Sequence, residues 1–189
     1  MRIVLLASGS GSLAQSIIDA RDSGKLEVEI LELISDKQSQ AIERAINAGI
    51  PTRILPMSED RSNWDAQIYE SVSKLNPDLV VSVGFMRILS AEFVAKFPTI
   101  NTHPALLPKF PGAHAVRDAL AAGVEVTGST VHWVDAGIDT GTVITQKEVV
   151  VLAQDDEASL HERIKIVERE LIVETLQSFI ADGLPRRSQ

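Results

Sequence analysis

Apolar runs of strand length alternate with amphipathic stretches along most of this chain. Ile3 to Leu6 reads as a buried strand, followed by a Gly/Ser loop and a helix from about Ser12 to Asp22. Val28 to Ile34 predicts a second strand, Ala41 to Ala48 a helix stopped by Gly49, and Thr52 to Leu55 a short third strand. Ser58, with Glu59 and Asp60 behind it, opens a helix running towards Leu75. Leu79 to Val83 is apolar on both faces, the mark of a central strand. Ser90 caps a helix to about Lys96, and Thr99 to Thr102 is another short strand. Pro104, Pro108 and Pro111 then forbid regular structure until a short helix near Ala115 to Ala121. Two longer strands follow, Val126 to Val134 and Val143 to Val151. Asp155 and Asp156 open a last helix in which Leu160, Ile164, Val167, Leu171 and Ile180 recur at helical spacing. After Gly183 the sequence is polar and is expected to be loose.

The alternation predicts an α/β fold: a mostly parallel, doubly wound twisted sheet, Rossmann-like in its first half, with a long C-terminal helix. With 189 residues and no linker or repeat, one domain is expected over 1–189, a regular half over 1–100 and an irregular half over 101–189. Irregular loops at strand ends are where such folds keep their chemistry.

Composition narrows the partners. Asp plus Glu number 26 against 18 Lys plus Arg, a net charge of -8, so the basic field that holds a nucleic acid is missing. The chain has no cysteine, which excludes disulfides and thiolate metal sites, and no histidine spacing suggests a metal. No run of about 20 apolar residues spans a bilayer, and Met1 to Leu6 is too short for a signal core, so a cytoplasmic location is expected.

Ser8-Gly9-Ser10-Gly11-Ser12 lies between the first strand and the first helix. Small residues let the backbone approach a ligand, and a helix N-terminus offers free N–H groups to a phosphate. The same loop with Ala14 fits G-x-G-x-x-A, with Asp36 as a ribose partner, which would make a dinucleotide-dependent oxidoreductase. A tight turn that binds nothing is the third alternative. No Lys-Ser or Lys-Thr follows, so a P-loop is excluded.

Asn101 and His103 stand at the carboxyl end of a short strand, stiffened by Pro104. An amide N–H can hold a developing oxyanion, and an imidazole can carry a proton or polarise the same oxygen. His114 is near enough to support that site; His132 and His161 read as packing residues. The loop from Val134 to Gly141 offers Asp135 and Asp139, either as partners for a histidine or as an ordinary Asp-Gly turn.

Taken in order, the Gly/Ser loop, Gly84-Phe85-Met86-Arg87-Ile88-Leu89-Ser90, Asn101 to Pro108 and the Asp139 loop resemble the folate-dependent phosphoribosylglycinamide formyltransferase family. The resemblance spans nearly the whole chain. It implies a formyl donor, 10-formyltetrahydrofolate, serving as co-substrate without a metal, and an acceptor, glycinamide ribonucleotide. It allows a homodimer. Asn101, His103 and Asp139 become the catalytic trio. Folate contacts fall on Arg61, Met86, Arg87, Ile88, Leu89 and Asn101, and on Asp135, Ala136, Gly137, Ile138 and Asp139. Acceptor and phosphate contacts fall on Gly9, Ser10, Gly11, Ser12 and Leu13, and on Glu168. A charged Arg87 in an otherwise apolar stretch also fits a ligand wall better than a core. Glu168 follows Ile164 and precedes Leu171 on the apolar stripe of its helix, where a carboxylate needs a partner.

The chain departs from the family pattern at Ser10 and Leu13, where asparagine is frequent, and at Thr140, where glycine is common. The nearest rival readings are another folate formyltransferase and a formyl-folate hydrolase. A transferase acting on initiator tRNA is expected to carry a further C-terminal domain and a basic surface, and the hydrolase an N-terminal regulatory domain. Here the catalytic pattern starts at Met1. The oxidoreductase reading leaves Asn101 to Pro108 and Asp139 without purpose.

Overall fold

A computed structural model describes residues 1–185 of the chain. The last part of the polar tail expected to be loose, residues 186–189, lies outside the described residues. The elements run β1 (Arg2–Ala7), α1 (Ser12–Asp22), β2 (Glu29–Ser35), α2 (Gln40–Asn47), β3 (Thr52–Ile54), α3 (Arg61–Leu75), β4 (Leu79–Ser82), α4 (Ala91–Lys96), β5 (Thr99–His103), α5 (Ala115–Ala121), β6 (Val126–Trp133), β7 (Val143–Val150) and α6 (Glu157–Asp182). The α/β alternation read from the sequence is therefore the fold. The sheet has seven strands in the order β3-β2-β1-β4-β5-β6-β7, mostly parallel, with β7 antiparallel to β6. The chain divides into two compact units, Met1–Ile100 and Asn101–Gln189.

In the first unit, β1 pairs in parallel with β2 on one side and with β4 on the other, Ile3 to Leu6 lying against Leu79 to Ser82. Ile3, Val4, Leu5, Leu6, Leu79, Val80 and Val81 are all fully buried, which is why these segments read as apolar on both faces. The chain steps outward from β1 to β2 to β3, then returns to lay β4 on the far side of β1. That reversal is a topological switch point, where the loops after two adjacent strands diverge and leave room for a ligand. The loops concerned follow β1, starting at Ser8, and β4, starting at Val83.

One start signal differs from the expectation. Helix α3 begins at Arg61 with Asp60 as its cap, the carboxylate accepting from the Asn63 amide at 3.1 Å. Ser58 instead donates its hydroxyl to the Asp60 carbonyl at 2.7 Å and shapes the turn before the helix. Cap residues in a row compete, and the one spaced three before a free amide wins.

In the second unit, β6 and β7 form an antiparallel pair running from Val126↔Val150 to His132↔Val143. Helix α6 is opened by a reciprocal capping box between Asp156 and Ser159. Its Leu160 and Ile164 join Val116 and Val149 in one core cluster. No helix among the described residues is long and apolar enough to cross a membrane.

The two glycines of the first loop differ in what they require. Gly11 has φ 71° and a Cβ there would sit 2.6 Å from Ala41 Cα, whereas Gly9 has nothing within 4 Å. Gly11→Ala should lower Tm by about 4 °C or more, combining left-handed backbone strain with overlap. Gly9→Ala should stay within about 2 °C of the parent by calorimetry.

Candidate active site

Alternation along β5 puts Asn101 and His103 on one face of the strand and Thr102 on the other. His103 is 3% exposed. Its Nε2 lies 2.8 Å from the Phe110 carbonyl and its Nδ1 lies 3.3 Å from Asp139 Oδ2. A carbonyl only accepts, so Nε2 carries a proton in either charge state. In the neutral ring Nδ1 is then bare and faces the carboxylate.

Asp139 comes from the loop between β6 and β7. It adopts φ 53°, the left-handed region that aspartate tolerates better than most residues. The Gly112 amide donates to its Oδ2 at 2.8 Å. Phe110, which supplies the carbonyl to His103, is also left-handed at φ 54°. Two left-handed residues thus lie against one histidine.

The loop around Asp139 is closed from within. Asp135 accepts from the Gly137 amide at 3.0 Å and from the Thr140 hydroxyl at 2.8 Å. Thr140, a departure from the family pattern, thus holds Asp135 in place. A Cβ on Gly141 would lie 1.7 Å from the Trp133 carbonyl oxygen, so the turn admits only glycine there. Ala136 and Ile138 are exposed on this loop, Ile138 by 55%.

His132 belongs to this cluster, which corrects its reading as a packing residue. Its Nδ1 lies 2.9 Å from the Trp133 carbonyl and so is protonated. Its Nε2 lies 3.3 Å from Asn101 Nδ2 and 3.5 Å from Asp139 Oδ1. Nε2 thus sits between the Asn101 amide and the Asp139 carboxylate. A mid-strand histidine beside a tryptophan carried no sign of this, because the β6 face it shares with the loop is set by pairing. His114 is exposed at the start of α5, and His161 is half-buried on α6.

Electrostatics separate the two partners. Burial pushes the His103 imidazole below its ordinary value, outweighing the Asp139 charge and the Phe110 carbonyl, which both favour protonation. Burial acts to raise Asp139, yet the His132 ring, the Gly112 amide and His103 together hold it below the usual carboxylate value. A neutral base beside an ionised acid can take a proton at Nδ1 and have the resulting imidazolium stabilised where it stands. Glu168, on α6, is 5% exposed, and burial pushes it up to about 7 against the pull of Lys165 and Arg169.

In the first unit, Gly9 and Ser10 are exposed and Ser12 is half-buried at the start of α1, whose cap, Gly11, offers no side-chain oxygen. The first amides of α1 therefore have no capping partner from that residue. Leu13 is 8% exposed and packs inward, which accounts for an apolar side chain at that position. After β4, Met86 is 69% and Ile88 54% exposed, while Leu89 is buried. Arg87 Nε donates to Asp36 Oδ2 at 2.8 Å. Arg61 donates to the Ile88 carbonyl and lies over the Trp64 ring, 5.0 Å from its centroid. Asp36 is 4% exposed, with Oδ2 paired to Arg87 and Oδ1 buried without a hydrogen-bond partner among the described residues.

Strands alternating with helices, and an Asn/His/Asp cluster beside β5, give the second unit the acid–base groups of an α/β enzyme. The family model for formyl transferases matches residues 1–176, and the chain belongs to that family. It is 47% identical over 187 residues to the phosphoribosylglycinamide formyltransferase of Mycobacterium tuberculosis (strain CDC 1551 / Oshkosh), covering 97% of this chain and 86% of that one. The Escherichia coli (strain K12) enzyme of the same name is 40% identical over 188 residues, with 97% and 88% covered. The crystal structure of glycinamide ribonucleotide transformylase 1 from Symbiobacterium toebii superposes with a TM-score of 0.94 at 36% identity, over 100% of this chain and 91% of that one.

The coupling between His103 and Asp139 can be read directly. In a histidine NMR titration, His103 should titrate below 6.5, its ordinary value. Because the Asp139 charge favours the protonated ring, Asp139→Asn should move that midpoint further down. A midpoint that rises or stays put in the variant would show that the two groups are not coupled.

Proposed function

We propose that this chain transfers the formyl group of 10-formyltetrahydrofolate to the amine of glycinamide ribonucleotide, a step in the making of the purine nucleotide IMP. Membership of the formyl transferase family and the names of the relatives support the reaction and the acceptor. The observation that carries the chemistry is the His103 Nδ1 facing an ionised Asp139, with the Asn101 amide tied to the same cluster through His132.

On this reading the amine nitrogen attacks the formyl carbon, and the carbonyl pair moves onto oxygen. The Asn101 amide stabilises that oxygen, His103 takes the proton released by the amine at Nδ1, and Asp139 stabilises the charge this places on the ring. Collapse of the intermediate expels the folate nitrogen, which leaves with a proton. The donor lies along Met86, Arg87, Ile88 and Leu89, with Arg61, and along Asp135 to Asp139. The acceptor's phosphate is held by Gly9, Ser10, Gly11, Ser12 and the backbone of Leu13, and its other end by Glu168. Residues 1–189 act as one formyltransferase domain in the cytoplasm, with phosphate binding in 1–100 and catalysis in 101–189. Partners are these two small molecules, with a second copy of the chain as a further one.

The test is an absorbance assay of formyl-folate consumption with and without glycinamide ribonucleotide. Consumption that needs the acceptor supports transfer; equal consumption without it would make the chain a hydrolase and overturn the reading. His103→Ala and Asp139→Asn should each lose about 10²–10⁴ in turnover while remaining folded by circular dichroism. Glu168→Gln should weaken the acceptor's Michaelis constant far more than the donor's, by about 1–3 kcal/mol in binding. An unchanged acceptor constant with a lowered Tm would make Glu168 a packing residue instead.

A further inference from the structure

Ser8 joins the two loops of the first unit, and none of the roles above uses it. It is 2% exposed, immediately after β1. Its amide donates to the Gly84 carbonyl at 3.1 Å, and its hydroxyl oxygen accepts from the Met86 amide at 2.9 Å. The residues after it are anchored in a different direction. The Gly9 carbonyl accepts from the Ala41 amide at 3.2 Å, the Ser10 carbonyl accepts from Arg44 Nε at 2.9 Å, and Gly11 sits tight against Ala41. Residues 9–11 are thus held on α2, while Ser8 turns both of its polar groups to the Gly84–Met86 segment.

We propose that Ser8 is a positioning residue that fixes the spacing between the loop taking the acceptor's phosphate and the loop walling the donor. This rests on the reading under Proposed function. Each loop has anchors of its own. Residues 9–11 keep α2, and residues 87 and 88 keep Asp36 and Arg61. Removing the Ser8 hydroxyl takes from the part-buried Met86 amide its acceptor across the loops and releases that segment to shift. Each substrate alone still finds its contacts. What is lost is the register between two substrates bound at once, and bimolecular chemistry is steep in that quantity: a shift of about 1 Å can cost about 10² in rate.

The experiment compares Ser8→Ala and Ser8→Thr with the parent. It measures the dissociation constant of tetrahydrofolate alone, that of glycinamide ribonucleotide alone, kcat, and Tm. Ser8→Ala should lower kcat about tenfold or more, with both dissociation constants within about threefold of the parent. Ser8→Thr, which keeps the acceptor oxygen, should recover most of the rate. A kcat within about twofold of the parent overturns the proposal, as does a loss matched by equal weakening of both ligands and a fall in Tm. If Ser8→Ala does not fold, Ser8→Cys carries the same expectation, since its thiol fills the space but accepts weakly; failure of both to fold makes Ser8 structural. A parent that consumes formyl-folate without needing the acceptor sinks the proposed function itself, an outcome distinct from all of these.

Discussion

A carbonyl oxygen can only accept, and at 2.8 Å from His103 Nε2 the Phe110 carbonyl keeps the ring's proton on that atom. Everything else in the second unit's cluster follows from this. In the neutral ring Nδ1 is left bare, Asp139 faces it, and the Gly112 amide, two residues beyond Phe110, fixes the carboxylate from the same loop. The proline-stiffened segment after β5 is therefore more than a spacer. It carries the carbonyl that fixes the histidine's tautomer and the amide that holds the carboxylate.

Burial gives that arrangement its direction. In water the imidazole and carboxylate would titrate near their ordinary values, and the pair would hold little preference for one charge state. Inside the unit, desolvation disfavours the imidazolium while hydrogen bonds favour the carboxylate ion, leaving a neutral base next to an anion. Such a pair accepts a proton without having to surrender one first, which suits the attack of a neutral amine.

The first unit solves a different problem, that of presenting two loops from adjacent strands. The return of the chain from β3 to β4 sets the ends of β1 and β4 side by side. Backbone groups of one loop then meet those of the other, and the exposed apolar side chains Met86 and Ile88 stand on a segment tied down at Gly84, Met86, Arg87 and Ile88. A segment fixed at that many points has little conformational freedom left to lose.

Periodicity and turn residues were enough to read the elements, because burial on both faces, caps and prolines act locally. The sequence marked Asn101 and His103 by their types and their place at a strand end, and left Asp139 open between a histidine partner and an Asp-Gly turn; the fold brings the three within one cluster. Contacts between distant segments were not legible. The sequence could not show that His132 meets Asn101 and Asp139, since strand pairing chooses which face it shares. Nor could it show that Asp36 pairs with Arg87, or that Ser8 serves the Met86 amide 78 residues away. Local sequence determined what each segment is; tertiary structure decided which polar atoms share each buried place, because only there does the loss of water make a missing partner costly.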